Sequence, residues 1–217
     1  MVDRGTSATA RHLKRILTTN GLHESRVSSD PFKQFGKWLT EAAGRRAPLP
    51  ETMTIATANR SGRPSARTLL LRTFDDSGFV FYTNYSGRKG KELAENRQAA
   101  LVFYWPRQGR QIRVEGRVLR VSSRESDDYF NGRPRDSQLS AWASQQSRVV
   151  RNRNYLENRV KRFDRKYPGR VPRPPDWGGY RLRPTIFEFW KERPGRLHDR
   201  LRYRRSEGRW VVERLAP

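Results

Sequence analysis

The chain of 217 residues has no cysteine, which excludes a disulfide framework, thiolate chemistry and thiolate-ligated zinc. Histidine is scarce too: His12, His23 and His198 stand too far apart in sequence to suggest a metal site. No apolar run approaches the roughly 18 residues of a membrane-spanning helix. The opening "MVDRGTSATARHLKRIL" lacks the apolar stretch of a signal peptide. Walker A, G-x-G-x-x-G and G-x-S-x-G patterns are missing as well. These absences predict a soluble, cytoplasmic protein with no metal and no membrane contact. Without a thiol, a triad or a metal cluster, difficult chemistry would have to come from an organic cofactor.

Acidic residues are also in deficit, with 22 Asp and Glu against 46 Lys and Arg, giving a formal net charge of +24. Such a balance attracts polyanions and raises the reading of a nucleic-acid-binding module. The arginines, however, are scattered from Arg4 to Arg214, mostly beside apolar residues in alternating segments. That distribution suggests solvated faces rather than a binding groove, and makes nucleic acid the less favoured partner. Only 34% of residues are hydrophobic, but ten Phe, eight Tyr and six Trp can each bury a large area. The length suffices for one domain with its own core.

Residues 1–28 are polar and aperiodic apart from a short helical stretch around Arg11–Leu17, and read as a mobile N-terminal arm. "SSDPFKQFGKWLTEAAGR" predicts a helix capped by Ser29 or Asp30, with Pro31 first and Phe32, Phe35, Trp38 and Leu39 on one face. From Met53 the period changes to two. Strands are expected in "MTIATANRSGRPSARTLLLRTF" around a Ser61-Gly62 turn, in "SGFVFYTN", in "QAALVFYW", and in "GRQIRVEGRVLRVS" with a bulge near Gly116. "GRKGKELAEN", "SSRESDDYF", "SQLSAWASQQS" and "NYLENRVKRFDRKY" read as helical, and "PGRVPRPPDWGG" as a loop. The tail returns to strands in "YRLRP", "TIFEFWKER", "DRLRYRRS" and "GRWVVERL". The expectation is a mainly β fold, an antiparallel barrel with peripheral helices, as a single domain over 29–217.

Three strings stand out as candidate sites. In "YTNYSGRKGKE" a strand ends at Asn84 and Arg88-Lys89 falls at the start of a helix. Cations there oppose the helix dipole unless an anion joins them. The same string also reads as a solvated basic loop. "RPRDSQLSAWASQQS" packs arginines, glutamines and serines around few apolar residues, as a polar ligand would require. "GRLHDR" sets His198 between Arg196 and Arg200.

Taken with "SSDPFKQFGKWL", "RTLLLR", "GFVFYTNYSGRKGKEL", "GRQIRVEG", "WGGYRL", "IFEFW", "RLHDRLRY" and the terminal "RLAP", these strings resemble the pyridoxine/pyridoxamine 5′-phosphate oxidase family over about residues 29–217. The resemblance implies an FMN-binding split β-barrel working as a homodimer, with FMN at the subunit interface and a small anionic substrate and O2 as partners. It places Arg67, Arg88 and Lys89 near the FMN phosphate, Tyr82 and Thr83 along the cofactor, and Gln111 near the isoalloxazine. Gln146, Ser147, Trp190 and Arg200 are expected from the partner subunit. Tyr129, Arg133 and Ser137, assisted by Arg72, would hold the substrate phosphate, while Arg196 and His198 face its ring as the catalytic pair. Arg67 and Arg72 are five apart, so a regular strand would send them to opposite faces, and the resemblance gives them different ligands.

Three positions depart from the family pattern, all on the substrate side. Arg72 stands where the family has lysine, Lys14-Arg15-Ile16-Leu17 replaces an Arg-x-x-Tyr arm, and Leu49 replaces an acidic residue, with Glu51 close by. Guanidinium and ammonium are not equivalent at an anion site. Two enzyme readings therefore compete: a pyridoxamine/pyridoxine 5′-phosphate oxidase, and a flavin oxidase of phenazine biosynthesis acting on a dihydrophenazine carboxylate.

Overall fold

Alternation from Met53 onward folds into one nine-stranded antiparallel sheet that curls into a half-barrel. The computed structural model describes residues 21–45 and 47–217. Its strands are β1 (Thr52–Ala58), β2 (Pro64–Leu70), β3 (Thr73–Asp75), β4 (Gly78–Asn84), β5 (Gln98–Trp105), β6 (Arg110–Arg120), β7 (Trp177–Lys191), β8 (Asp199–Ser206) and β9 (Arg209–Arg214). The order is β2-β1-β5-β6-β7-β4-β3, with β8 added along the second half of β7 and β9 beyond it. The five α-helices among the described residues are α1 (Pro31–Gly44), α2 (Arg88–Glu95), α3 (Ser123–Asn131), α4 (Arg135–Ala143) and α5 (Arg153–Lys166).

The longest strand, β7, is the backbone of the arrangement. The sequence suggested two strands with a preceding loop that included "WGG". Instead one strand runs from Trp177 to Lys191 and absorbs the phase slip in a bulge opposite Glu115 and Gly116. Glycine is needed there: a Cβ on Gly116 would lie 2.0 Å from the Arg183 carbonyl oxygen. The first part of β7 pairs with β4, so that Tyr82 faces Gly179, and the second part pairs with β8, so that Trp190 faces Arg200.

Asp30 caps α1 by accepting from the Phe32 N–H at 2.8 Å. The apolar face of the helix then fills the barrel. Phe35 is fully buried and meets Phe79 and Phe103 edge-on at 4.9 Å each, while Trp38 meets Phe189 at 5.3 Å. Burying one such ring is worth about 1.5–3 kcal/mol. A second cluster, built on Phe130, Leu139, Val171 and Trp177, fastens α3, α4 and α5 to one end of the sheet.

Of the expected arm, residues 21–28 run along the barrel. Leu22 is buried, its N–H donates to Asp199 at 2.9 Å, and Arg214 pairs with Glu24 at 2.8 Å. The Tyr203 hydroxyl donates to the Ser28 carbonyl at 2.7 Å. The remainder of the arm, with the helical stretch at Arg11–Leu17, lies outside the described residues.

Candidate flavin and substrate site

The turn after β4 builds the first cluster. The Asn84 side-chain oxygen accepts from the Ser86 and Gly87 N–H groups at 2.8 and 3.1 Å, which closes the chain into α2. Arg88 and Lys89 thereby occupy the first turn of that helix. The Lys89 ammonium donates to Thr83 Oγ1 at 2.9 Å and to Gln146 Oε1 at 2.7 Å. The Arg88 N–H donates to Ser147 Oγ at 3.2 Å. Arg67 reaches in from β2 and donates to Thr57 and Ser65.

At the base of this cluster lies Glu92, which is 6% exposed. It accepts from Thr57 at 2.5 Å, Ser65 at 2.6 Å and Arg88 at 2.9 Å, and pairs with Arg67 at 3.3 Å. Burial alone would push its carboxyl up, but the hydrogen bonds from Ser65, Thr57 and Arg88 and the Arg67 charge outweigh this and hold it at about 2. Lys89 moves the other way for a cation: burial and then the Arg67 charge bring it down to about 8, with Glu92 opposing. A partly desolvated lysine beside two guanidiniums and a helix N-terminus is a donor set suited to a phosphate. The residues present therefore fit the phosphate end of a flavin mononucleotide.

The second cluster begins one residue earlier on β4, on the opposite side of the strand. Tyr82 stacks on Tyr129 at 3.8 Å, and Trp177 continues the stack 5.6 Å from Tyr82. Arg133 lies over Trp177 at 4.7 Å and over Phe130 at 5.6 Å. Its buried Nη1 has no hydrogen-bond partner. Burial draws its pKa below the usual guanidinium value, Tyr129 opposes this, and the Arg72 charge adds to it. Arg72 itself lies 5.9 Å from the Tyr129 ring. Ser137 sits half-buried in the first turn of α4. Arg67 and Arg72 thus lie in different clusters, but not through the alternation of one strand, because β2 ends at Leu70 between them.

The remaining expected residues form a third group. Gln111, Trp190 and Arg200 are successive cross-strand neighbours on β6, β7 and β8. His198 packs on Trp190 at 4.7 Å, and its Nδ1 accepts from the Arg193 N–H at 3.1 Å. Nδ1 is therefore the unprotonated nitrogen, which leaves Nε2 to carry a proton. Arg196 is exposed, in a left-handed conformation at φ 64°. Arg200 donates to the buried Glu188 at 2.7 Å and to the Ala216 carbonyl at 2.7 Å.

Gln111, expected on the same chain as Arg67, is the cross-strand neighbour of Trp190. Gln146 and Ser147, expected from the partner subunit with Trp190 and Arg200, lie against Thr83, Lys89 and Arg88 of their own chain. The reason is the chain path: after α4 ends at Ala143, the segment turns back over the start of α2. The third group lies toward the other end of β7 from Tyr82: Gly179, beside Tyr82, and Trp190 are eleven residues apart, a path along the strand of roughly 36 Å at about 3.3 Å per residue.

Glu92, Thr57, Ser65 and Trp177 were not among the expected site residues. Glu92 reads in sequence as an ordinary i,i+4 partner of Arg88, and Trp177 as part of a loop. The one available signal was that Glu92 falls on the same helix face as Arg88 and Lys89.

Fold and site together define a flavin-dependent oxidoreductase of the split-barrel type. Residues 39–167 match the pyridoxamine 5′-phosphate oxidase family, and residues 177–217 match the pyridoxine 5′-phosphate oxidase C-terminal dimerisation region. The pyridoxine/pyridoxamine 5′-phosphate oxidase of Rubrobacter xylanophilus is 52% identical over 206 residues, covering 94% of this chain and 95% of that protein. The corresponding oxidase of Acaryochloris marina is 47% identical over 213 residues, covering 98% and 97%. Among solved structures, PhzG from Burkholderia lata in complex with tetrahydrophenazine-1-carboxylic acid superposes with a TM-score of 0.87 at 32% identity, covering 93% of this chain and 99% of that one. The chain belongs to the pyridoxamine 5′-phosphate oxidase family. Among the described residues no helix is long and apolar enough to cross a membrane.

Proposed function

We propose that this chain is an FMN-dependent oxidase of pyridoxamine and pyridoxine 5′-phosphates, forming pyridoxal 5′-phosphate. The observation that carries the reading is Arg133: its guanidinium is partly buried among rings, with one nitrogen unpartnered and a second cation, Arg72, close by. A buried, unpaired charge is costly, and a substrate phosphate would satisfy it. Bound FMN would supply the hydride acceptor, with O2 as the final oxidant and hydrogen peroxide as the second product.

The chain's own residues then have separable tasks. Arg67, Arg88, Lys89, Gln146 and Ser147 hold the cofactor phosphate, and Tyr82 and Thr83 line the cofactor. Arg133 and Arg72 anchor the substrate phosphate beside Tyr129 and Ser137, away from the reacting carbon. Gln111, Trp190 and Arg200 of a second subunit close the flavin ring, and Arg196 and His198 of that subunit face the substrate ring. There His198 Nε2–H is free to donate to an oxygen or nitrogen of the ring. The two separated groups on β7, together with the dimerisation region, support a homodimer with two shared sites.

A second reading, oxidation of a dihydrophenazine carboxylate, is favoured by one observation besides the PhzG likeness. Leu49, where an acidic residue was expected, is 61% exposed and borders an apolar cavity of about 370 Å³ with Tyr104. Tyr104 is the cross-strand neighbour of Gln111, so this cavity adjoins the flavin-ring group. Anaerobic stopped-flow bleaching of the flavin with pyridoxamine 5′-phosphate, pyridoxine 5′-phosphate and a dihydrophenazine carboxylate tests both. Rapid bleaching by the phosphates supports the first reading, bleaching by the carboxylate alone replaces it with the second, and bleaching by none refutes both.

A further inference from the structure

We infer that Glu92 is a positioning residue for the cofactor phosphate, fixing Arg67 and Arg88 and trimming the cluster's charge to match a phosphate monoester. The inference rests on the FMN reading above. A carboxylate buried inside an anion site is at first sight misplaced, since it repels the ligand and loses its own hydration. Its partners explain why it is there. Thr57 from β1, Ser65 and Arg67 from β2, and Arg88 from its own helix all converge on it. It thereby ties two strands and a helix together at the point where the phosphate would sit.

The orientation of the guanidiniums follows from these bonds. The Arg88 side chain is 57% exposed and would otherwise sample many rotamers, but its Nε is held on Glu92. Arg88 donates to Glu92 through Nε, which leaves its two Nη nitrogens for a ligand, while Arg67 is pinned through Nη1 on Thr57 and Nη2 on Ser65 and Glu92. Charge matters as well. Arg67, Arg88 and Lys89 against one carboxylate leave two positive charges, close to the roughly −2 of a phosphate monoester. Lys89 faces Arg67 on β2, Thr83 on β4, Gln146 on the loop after α4, and Arg88 and Glu92 on its own helix. Thr83 and Gln146 accept from the ammonium, but Glu92 is the negative charge that favours it against Arg67, so it helps to keep the lysine charged near neutrality.

Two opposite outcomes separate this role from simple repulsion. If Glu92 merely repels phosphate, Glu92→Gln tightens FMN binding. If it positions, the same change weakens binding and moves its pH dependence. The test titrates apoprotein with FMN from about pH 6 to about pH 9.5, following flavin fluorescence, with riboflavin as the arm that lacks phosphate. For Glu92→Gln the expected result is FMN affinity lower by about 10-fold or more, unchanged riboflavin affinity, and a loss of affinity with rising pH that begins earlier than in the wild type. Glu92→Asp keeps the charge and should weaken binding while leaving the pH midpoint in place. FMN binding by Glu92→Gln that is equal or tighter, or weaker with an unmoved midpoint, overturns the inference. Should Glu92→Gln fail to fold, a shifted midpoint in Glu92→Asp overturns it instead. Wild-type apoprotein that ignores FMN altogether would overturn the FMN reading, and this inference with it.

Discussion

Replacing Arg133 by methionine tests the substrate side most directly, because the structure assigns the change two opposite consequences. The guanidinium would donate to the substrate phosphate, and a charge-assisted hydrogen bond contributes about 1.5–3 kcal/mol. Losing one such bond corresponds to roughly a 10- to 150-fold rise in KM for pyridoxamine 5′-phosphate. The turnover number should change far less, since the anchor is remote from the reacting carbon. In the free protein the balance reverses. Arg133 carries a buried Nη1 without a partner, a defect costing about 1–3 kcal/mol, which its stacking on Trp177 and Phe130 only partly offsets. An unbranched apolar side chain among those rings removes the defect, so the thermal midpoint should stay level or rise. Steady-state kinetics with pyridoxamine 5′-phosphate, a control with unphosphorylated pyridoxamine, and calorimetry of the same preparation decide it. An unchanged KM, an equal loss with the unphosphorylated control, or a fall of several degrees in the midpoint would each refute the reasoning.

Lys89, held near 8, predicts that FMN affinity falls as pH rises through that value, because the neutral amine cannot pair with phosphate. The apoprotein should respond in the other sense: its lysine pKa is depressed relative to the unfolded chain, so folding stability rises from about pH 8 toward the unfolded value of about 10.4, measurable by urea denaturation. Phe35→Ala should cost about 3–5 kcal/mol of stability, read from the same denaturation curves, since the ring is fully buried against Phe79 and Phe103. Lys89→Ala and Arg200→Ala should each be nearly inactive alone, yet co-expressed in equal amounts they should recover about a quarter of wild-type activity. Half of the dimers are then mixed, and each mixed dimer holds one intact site. No recovery would mean that the site is not shared between subunits.

The strands and α1 were readable from sequence because burial on one face leaves a period that survives in the residues themselves. Phe32, Phe35 and Trp38 sit where their spacing put them, and the bulge at Gly116 lies where the alternation slipped. What periodicity could not convey was continuity. Pro184 and Thr185 look like a break, yet the bulge lets β7 pass through them. The cationic members of the candidate site were legible as loop and helix-start arginines and lysines, and the resemblance grouped them. That Gln146 and Ser147 lie against Lys89 and Arg88 of their own chain was not legible, since it depends on a reversal after Ala143 that no local pattern encodes. Glu92 was hidden for a related reason: its burial arises from β1 and β2, about thirty residues upstream.

In a dimer with shared sites, β7 works as a gauge block. One end carries the glycines against Tyr82 and Tyr85 and the other carries Trp190; in the proposed dimer the spacing between them would set the separation of the two reaction centres. Adding or deleting a single residue would not merely shift that spacing. It would turn every side chain beyond the change to the opposite face of the sheet, withdrawing Trp190 from its place between Gln111 and Arg200, and Phe187 and Phe189 from the core, in one stroke. The bulge at Gly116 is the place where such a change has already been accommodated, and it lies between the two ends. Length in this strand is consequently under tighter constraint than composition: a conservative substitution perturbs one contact, whereas an indel miscuts the template from which both centres are measured.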